Sequence, residues 1–153
     1  MPFFFDGNDE SLLPAEWRDA ASVCLPQKGN NLGERMAEAF RNLFDSSFNS
    51  VLLAGTDIPG INCEYLNKTA ESLGSAGMVI GPAHDGGYCL IGFTAECFDP
   101  AVFEQISWST ELVMQQTLER CEGSGLKPIL LGKLRDIDTV EDIQEECLDL
   151  ALT

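Results

Sequence analysis

The sequence is poor in positive charge: 9 Lys and Arg stand against 25 Asp and Glu, a formal net charge of −16. A surface of that sign repels phosphate backbones, which argues against a nucleic-acid binder and against docking on anionic membranes. Histidine is nearly missing, His84 being the single copy, and one histidine without a paired ligand or nucleophile is weak ground for catalysis. No apolar run approaches the ~18 residues that a membrane helix needs, and the first residues lack the basic start and apolar stretch of a secretory signal. No Walker loop, GxGxxG fingerprint or Ser-His-Asp arrangement occurs. The cysteines Cys24, Cys63, Cys89, Cys97, Cys121 and Cys147 never take the CxxC spacing of zinc or redox sites. Most have apolar neighbours, as buried free thiols do. A disulfide framework is therefore not expected, and the cytoplasm is the predicted compartment.

What is present is enough apolar material for one domain, 44% of 153 residues. Short apolar runs at Met1 to Phe5, Ser22 to Leu25, Val51 to Ala54, Gly77 to Pro82, Tyr88 to Phe93 and Pro128 to Leu131 read as strands. Between them fall helical patterns: Ser11 to Ala21, Asn31 to Phe44, Ile61 to Leu73 with a stop at Gly74, a helix that follows Trp108, Ser109 and Thr110 and runs to about Arg120, and a closing stretch after Thr139. Asn31 is a candidate cap with Glu34 three residues on, the capping-box spacing. Alternating strands and helices predict an α/β sandwich with a largely parallel sheet. The loop Ala83 to Gly87, AHDGG, is so short that it predicts a sharp reversal between its two strands.

Three loops carry acids at strand ends: Asp57 in GTDIPG, Asp85 in AHDGG, and the pair Asp136 and Asp138. Hard divalent cations prefer one or two carboxylates plus phosphate oxygens, so two of these acids could hold a metal on a nucleoside diphosphate while the third positions or deprotonates an acceptor. Each has a plainer alternative: Asp138 as a helix cap, and Asp57 and Asp85 as turn residues. Lys28 and Arg35 flank the amino end of the Asn31 helix, either facing a phosphate or simply solvated. Trp108 is either core or a platform for a sugar or base.

Four stretches taken together, LGERM at Leu32 to Met36, GTDIPG at Gly55 to Gly60, GPAHDGGYCLIGF at Gly81 to Phe93, and WST with LRDIDT, resemble a bacterial glycosyltransferase-A-like family of nucleotide-diphospho-sugar transferases. Some of its members carry the name arsenosugar-biosynthesis glycosyltransferase. The resemblance implies a Rossmann-like α/β/α sandwich with a mostly parallel sheet, forming a single domain. It implies a nucleotide-sugar donor, a small-molecule acceptor and a divalent metal, Mg2+ or Mn2+. Asp57 falls at the metal-binding acid and Asp138 at a second metal ligand; Asp85 falls at the catalytic position. Arg35, Gly55, Thr56, Gly86, Gly87, Tyr88 and Trp108 fall at substrate-binding positions. The family's first strand, basic glycine loop and first helix have no counterpart before Met1, so the domain is expected to be incomplete at its N-terminus. Such a sheet would expose unpaired edges, which predicts a homo-oligomer. A nucleotidyltransferase on the same fold, and an inactive oligomerising remnant, are the alternatives.

Overall fold

A computed structural model of the chain describes residues 1–7, 9–56 and 58–134. The chain opens with β1 (Pro2–Phe5), a 3-10 turn at Glu10–Leu12, α1 (Ala15–Ala20) and β2 (Val23–Pro26). Asp9 caps the turn by accepting from Ser11 N at 3.0 Å. Pro14, which has no N–H to leave unpaired, stands just before α1. β1 and β2 pair in parallel, Pro2 opposite Val23 through Phe5 opposite Pro26. Trp17 of α1 meets Phe3 edge to face at 5.2 Å, fastening the connection onto β1.

α2 (Leu32–Asp45) is set by its cap: Asn31 Oδ1 accepts from Glu34 N at 2.9 Å. The Glu34 carboxylate reaches one residue further back than the usual box and accepts from Asn30 N at 2.8 Å. α2 buries Ala37, Phe40 and Leu43, and leads into β3 (Ser50–Ala54). α3 (Cys63–Ala76) follows, capped by Asn62, whose side chain accepts from Tyr65 N. It runs past Gly74, where a Cβ would meet nothing, and stops at Gly77 with φ +77. The expected stop at Gly74 therefore moves to the residue whose backbone is left-handed.

β4 (Met78–Pro82) and β5 (Tyr88–Thr94) form the predicted reversal, and β5 inserts between β4 and β3. A second 3-10 turn at Pro100–Phe103, α4 (Val113–Gly123) and β6 (Ile129–Leu130) complete the described residues. The main sheet has the order β3-β5-β4-β6. β5 is antiparallel to both neighbours and β6 is parallel to β4, so three of these four strands point one way and β5 alone is reversed.

Side-chain alternation along the strands divides the core into two layers. Met78 and Ile80 of β4 and Ile91 and Phe93 of β5 join Phe40 and Leu43 of α2, Val102, Phe103 and Cys121 on one face. Val79 and Leu90 join Leu73 of α3, Ile58 and Ala83 on the other. Helices cover both faces of the sheet, α2 on one and α3 on the other. Phe40 is the hub: fully buried, it has the rings of Phe93 at 5.1 Å, Phe98 at 5.4 Å, Phe44 at 5.9 Å and Phe103 at 6.0 Å.

Among the described residues, β1 has a partner only on the β2 side and β3 only on the β5 side. A cleft of about 330 Å³ lies between these two strands, lined by Phe3, Phe4, Phe5, Trp17, Ala54 and Thr56 among others.

Phe40→Ala should cost about 3–5 kcal/mol, the range for emptying a buried aromatic site, when unfolding is followed in denaturant. Phe48→Ala, at a position 49% exposed, should stay within about 0.5 kcal/mol of the parent.

Candidate functional site

Chain direction decides where the polar residues gather. β3 and β4 both oppose β5 and so run parallel to each other, and α3 carries the chain back between them. Phe5, Asp6 and Gln27, at the ends of β1 and β2, line one cleft with Ala54, Gly55 and Thr56 at the end of β3. The carboxyl ends of β2, β3 and β4 therefore share one edge, the edge where open α/β sheets bind ligands. Asp6, Gln27, Gly55 with Thr56, and the 83–87 loop are the residues that follow β1, β2, β3 and β4 there.

Arg35 holds one side of this edge together. Its guanidinium lies 3.4 Å from Asp6 Oδ1 and donates to Gly29 O and Gln27 Oε1, each at 3.3 Å. Gln27 donates its own N–H to Phe5 O at 2.7 Å and its side-chain amide to Phe4 O at 3.3 Å. The end of β1, the 27–31 loop and the first turn of α2 are thus cross-linked through one cation. The Asp6 side chain is 77% exposed, so this pair is weak by itself and open to exchange.

The GTDIPG loop is held on both sides of its acid. Gly55 N donates to Cys89 O at 3.0 Å, prolonging the β3–β5 ladder, and Ile58 is buried against the α3 layer. Asp57, Asp136 and Asp138 lie outside the described residues. Among the described residues no three His, Cys, Asp or Glu side chains group as metal ligands.

In the 83–87 loop, Ala83 N donates to Gly87 O at 3.0 Å and Asp85 Oδ1 accepts from Gly87 N at 2.9 Å. Asp85 is therefore a turn residue through one oxygen; its other oxygen makes no hydrogen bond among the described residues. Gly86 has φ +93, and a Cβ there would lie 2.6 Å from Glu111 O. Both facts demand glycine. The contact docks the loop on the start of α4, where Met114 N donates to Gly86 O at 2.9 Å.

Trp108 is positioned from several sides. A Cβ on Gly33 of α2 would come within 2.7 Å of its ring and of Phe103 O, so helix and indole meet only because residue 33 has no side chain. Tyr88 presents its ring edge-on to Trp108 at 6.4 Å. Ser107 N donates to Gln116 Oε1 at 2.7 Å and Thr110 Oγ1 to Ser107 O at 2.7 Å, tying the WST segment to α4 and to itself. The Tyr88 ring packs against the core, and its hydroxyl and that of Thr117 are shielded from solvent without an aligned hydrogen bond. Tyr88 touches the site through Trp108. Burial raises the Tyr88 phenol far above its ordinary pKa, the neighbouring Thr117 hydroxyl opposing only in part.

A second cleft, about 650 Å³, runs between α2 and the 100–108 segment and is lined by Lys28, Glu38, Arg41, Glu104, Gln105 and Trp108 among others. The structure thus brings Arg35, through its partners Asp6 and Gln27, to the first cleft with Gly55 and Thr56, and places Trp108 in the second. Asp85, Gly86 and Gly87 stand at the same edge between β4 and α4. Sequence reasoning missed Gly33, Asp6, Gln27 and the Glu38–Arg41 pair. Glu34, Glu38 and Arg41 follow one another at helical spacing, a signal of a shared polar face.

A three-layer sandwich with a reversed strand inserted in its sheet, and with its polar groups at the carboxyl edge, is an α/β domain of the nucleotide-diphospho-sugar transferase type. The chain belongs to the family described as "Uncharacterized protein conserved in bacteria (DUF2064)", whose model matches residues 2–110. One similar crystal structure, from Desulfovibrio desulfuricans G20, bears the name "putative nucleotide-diphospho-sugar transferase"; it is 36% identical with a TM-score of 0.81. The match covers 91% of this chain and 61% of that one, so the chain spans less than two thirds of that relative. No curated protein matches the sequence. No helix among the described residues is long and apolar enough to cross a membrane.

The chain's two tyrosines give a pH prediction. Burial first, and the nearby Cys89 second, push Tyr65 up to about 12, while its hydroxyl donates to Gly132 O at 3.1 Å. Tyr88 is shifted the same way. Folding therefore retains protons that an unfolded tyrosine loses near pH ~10, so stability is intact below that pH and falls as pH rises towards 12. Phenolate absorbance should be minimal at pH ~10.5 in the folded protein and substantial in denaturant; equal ionisation in the two states contradicts the burial of these rings.

Proposed function

We propose that the chain is a glycosyltransferase domain that moves a sugar from a nucleoside diphosphate sugar to a small-molecule acceptor. The observation that carries this is the carboxyl-edge cleft beside Arg35, in a fold that matches the Desulfovibrio structure over 91% of the chain. The donor diphosphate lies at this edge. The Asp6 carboxylate beside Arg35 marks the position for an anion, and a phosphate displaces that exposed partner to take a charge-assisted fork from the guanidinium. Gly55 and Thr56 give the donor a wall without bulk. The acceptor oxygen attacks the anomeric carbon, the bond from that carbon to the diphosphate oxygen breaks, and Asp85 takes the acceptor's proton through its unbonded oxygen. Gly86 and Gly87 hold Asp85 at the edge.

The proposal includes a divalent metal, Mg2+ or Mn2+, with Asp57 and Asp138 as its protein ligands. When bound, it would neutralise the leaving diphosphate; the described residues supply no alternative ligand cluster. The free thiols of Cys24, Cys63, Cys97 and Cys121 support a reducing, cytoplasmic setting. A nucleotidyltransferase would handle a triphosphate, with more charge to offset, and would release pyrophosphate.

Titration calorimetry with UDP, GDP and the other nucleoside diphosphates in the presence of Mn2+ tests the donor. At least one should bind, and Arg35→Ala should weaken it by about 1.5–3 kcal/mol, the scale of a hydrogen bond to a charged group. Absence of heat in every combination, from a folded sample, sinks the proposal.

The edges of β1 and β3 that are unpaired among the described residues support a second element, association between copies by strand pairing. Light scattering should then give a mass above that of one chain; a stable monomer at all concentrations would exclude it.

A further inference from the structure

We propose that the cleft between α2 and the 100–108 segment is a saccharide site, and that the acceptor of the transfer is accordingly a carbohydrate or a molecule that carries one. The identification of this sugar as the acceptor rests on the function proposed above; the binding itself does not.

The lining matches what a sugar asks of a protein. A pyranose has an apolar C–H face and a rim of hydroxyls that both donate and accept. Trp108 supplies the apolar wall, and its Nε1–H has no hydrogen-bond partner among the described residues. Around it stand acceptors, Glu38 and Glu104, and donors, Lys28, Arg41 and the Gln105 amide. The Gln105 carbonyl oxygen is already taken by Arg120 at 2.7 Å, which leaves its NH2 for a ligand. Glu38 and Arg41 form a loose pair at 3.6 Å with both side chains about half exposed. Such a pair gives way to a hydroxyl at little cost.

Charge excludes the simpler occupants. Glu34, Glu38 and Glu104 outnumber Lys28 and Arg41 in the lining, which disfavours a phosphate or other small anion. Both Glu34 oxygens are engaged by Asn30 and Asn31, and no metal-type cluster forms among the described residues. A neutral ligand rich in hydroxyls is what remains. The volume, about 650 Å³, falls within the ~300–1,000 Å³ usual for small-molecule sites.

The wall is built rather than incidental. Gln105, three residues before Trp108, and Ser109, next after it, have φ +57 and +62, a left-handed backbone that non-glycine residues hold only where the surroundings impose it. Gly33 admits the indole edge and Tyr88 backs it. The cleft also begins at Lys28, the residue after Gln27 of the first cleft, so the two ligand spaces adjoin across one peptide.

Saturation-transfer-difference NMR with the methyl glycosides of glucose, galactose and mannose at millimolar concentration, without nucleotide or metal, tests the site. At least one glycoside should show transfer to its ring protons and quench tryptophan fluorescence. Trp108→Ala should weaken that binding about tenfold or more, and Trp108→Phe should restore part of it. Glu38→Gln, at an accessible position that leaves the core untouched, should weaken it about threefold or more, which keeps the test valid if Trp108→Ala fails to fold. No transfer from any glycoside, or transfer unchanged in both Glu38→Gln and Trp108→Ala, overturns the proposal. Nucleotide binding without glycoside binding rejects this site and leaves the donor reading standing. Glycoside binding without nucleotide binding retains the saccharide site and rejects the donor reading.

Discussion

β5 is wedged between β3 and β4, antiparallel to both, with Leu90 opposite Ala54 on one side and Gly81 on the other. This pairing fixes how the rest of the molecule is arranged. A slip of one residue would turn Ile91 and Phe93 away from Phe40 and bring Leu90 into the wrong layer. It would also separate the two loops at the carboxyl edge. Gly55 reaches Cys89 because β3 and β5 are in register, and the 83–87 loop closes because β4 turns back directly. One hairpin thus aligns the core and brings the GTDIPG and AHDGG loops to one edge.

α2 couples this edge to the remaining parts. Its buried face delivers Phe40 to the aromatic cluster, its first turn accepts Trp108 against Gly33, and Arg35 draws in the end of β1 and the 27–31 loop. The two clefts lie on either side of that loop. Where β1 and β3 each lack a neighbour among the described residues, the molecule presents backbone groups and aromatic side chains together. Burial of those groups by another strand would be favoured.

Much of the fold was legible because its signals are local. The cap at Asn31, the short apolar runs, and the two glycines that force a reversal after Asp85 each act within a few residues, and the corresponding elements form where they were expected. The α3 terminus was misplaced because Gly74 sits in open space, where a helix tolerates glycine at a cost of about 1 kcal/mol. The insertion of β5 depends on long-range pairing that periodicity does not report. At the candidate site, Arg35, Gly55, Thr56 and Trp108 were expected from the family resemblance, but what holds them in place is not written locally. Asp6 and Gln27 became partners of Arg35 only when β1 and β2 paired, and Gly33 matters only because an indole 75 residues away in sequence packs against it. Tyr88 looked like a binding residue from its motif, yet its ring completes the core behind Trp108.

The donor site proposed above is the carboxyl-edge cleft beside Arg35, Gly55 and Thr56. Amide hydrogen exchange with and without UDP- and GDP-sugars plus Mn2+ tests it most directly. Exchange should slow in residues 27–35, 54–56 and 83–87, with α3 and the β4–β5 interior unchanged. Protection centred on α3, or no change anywhere with every donor, would contradict it.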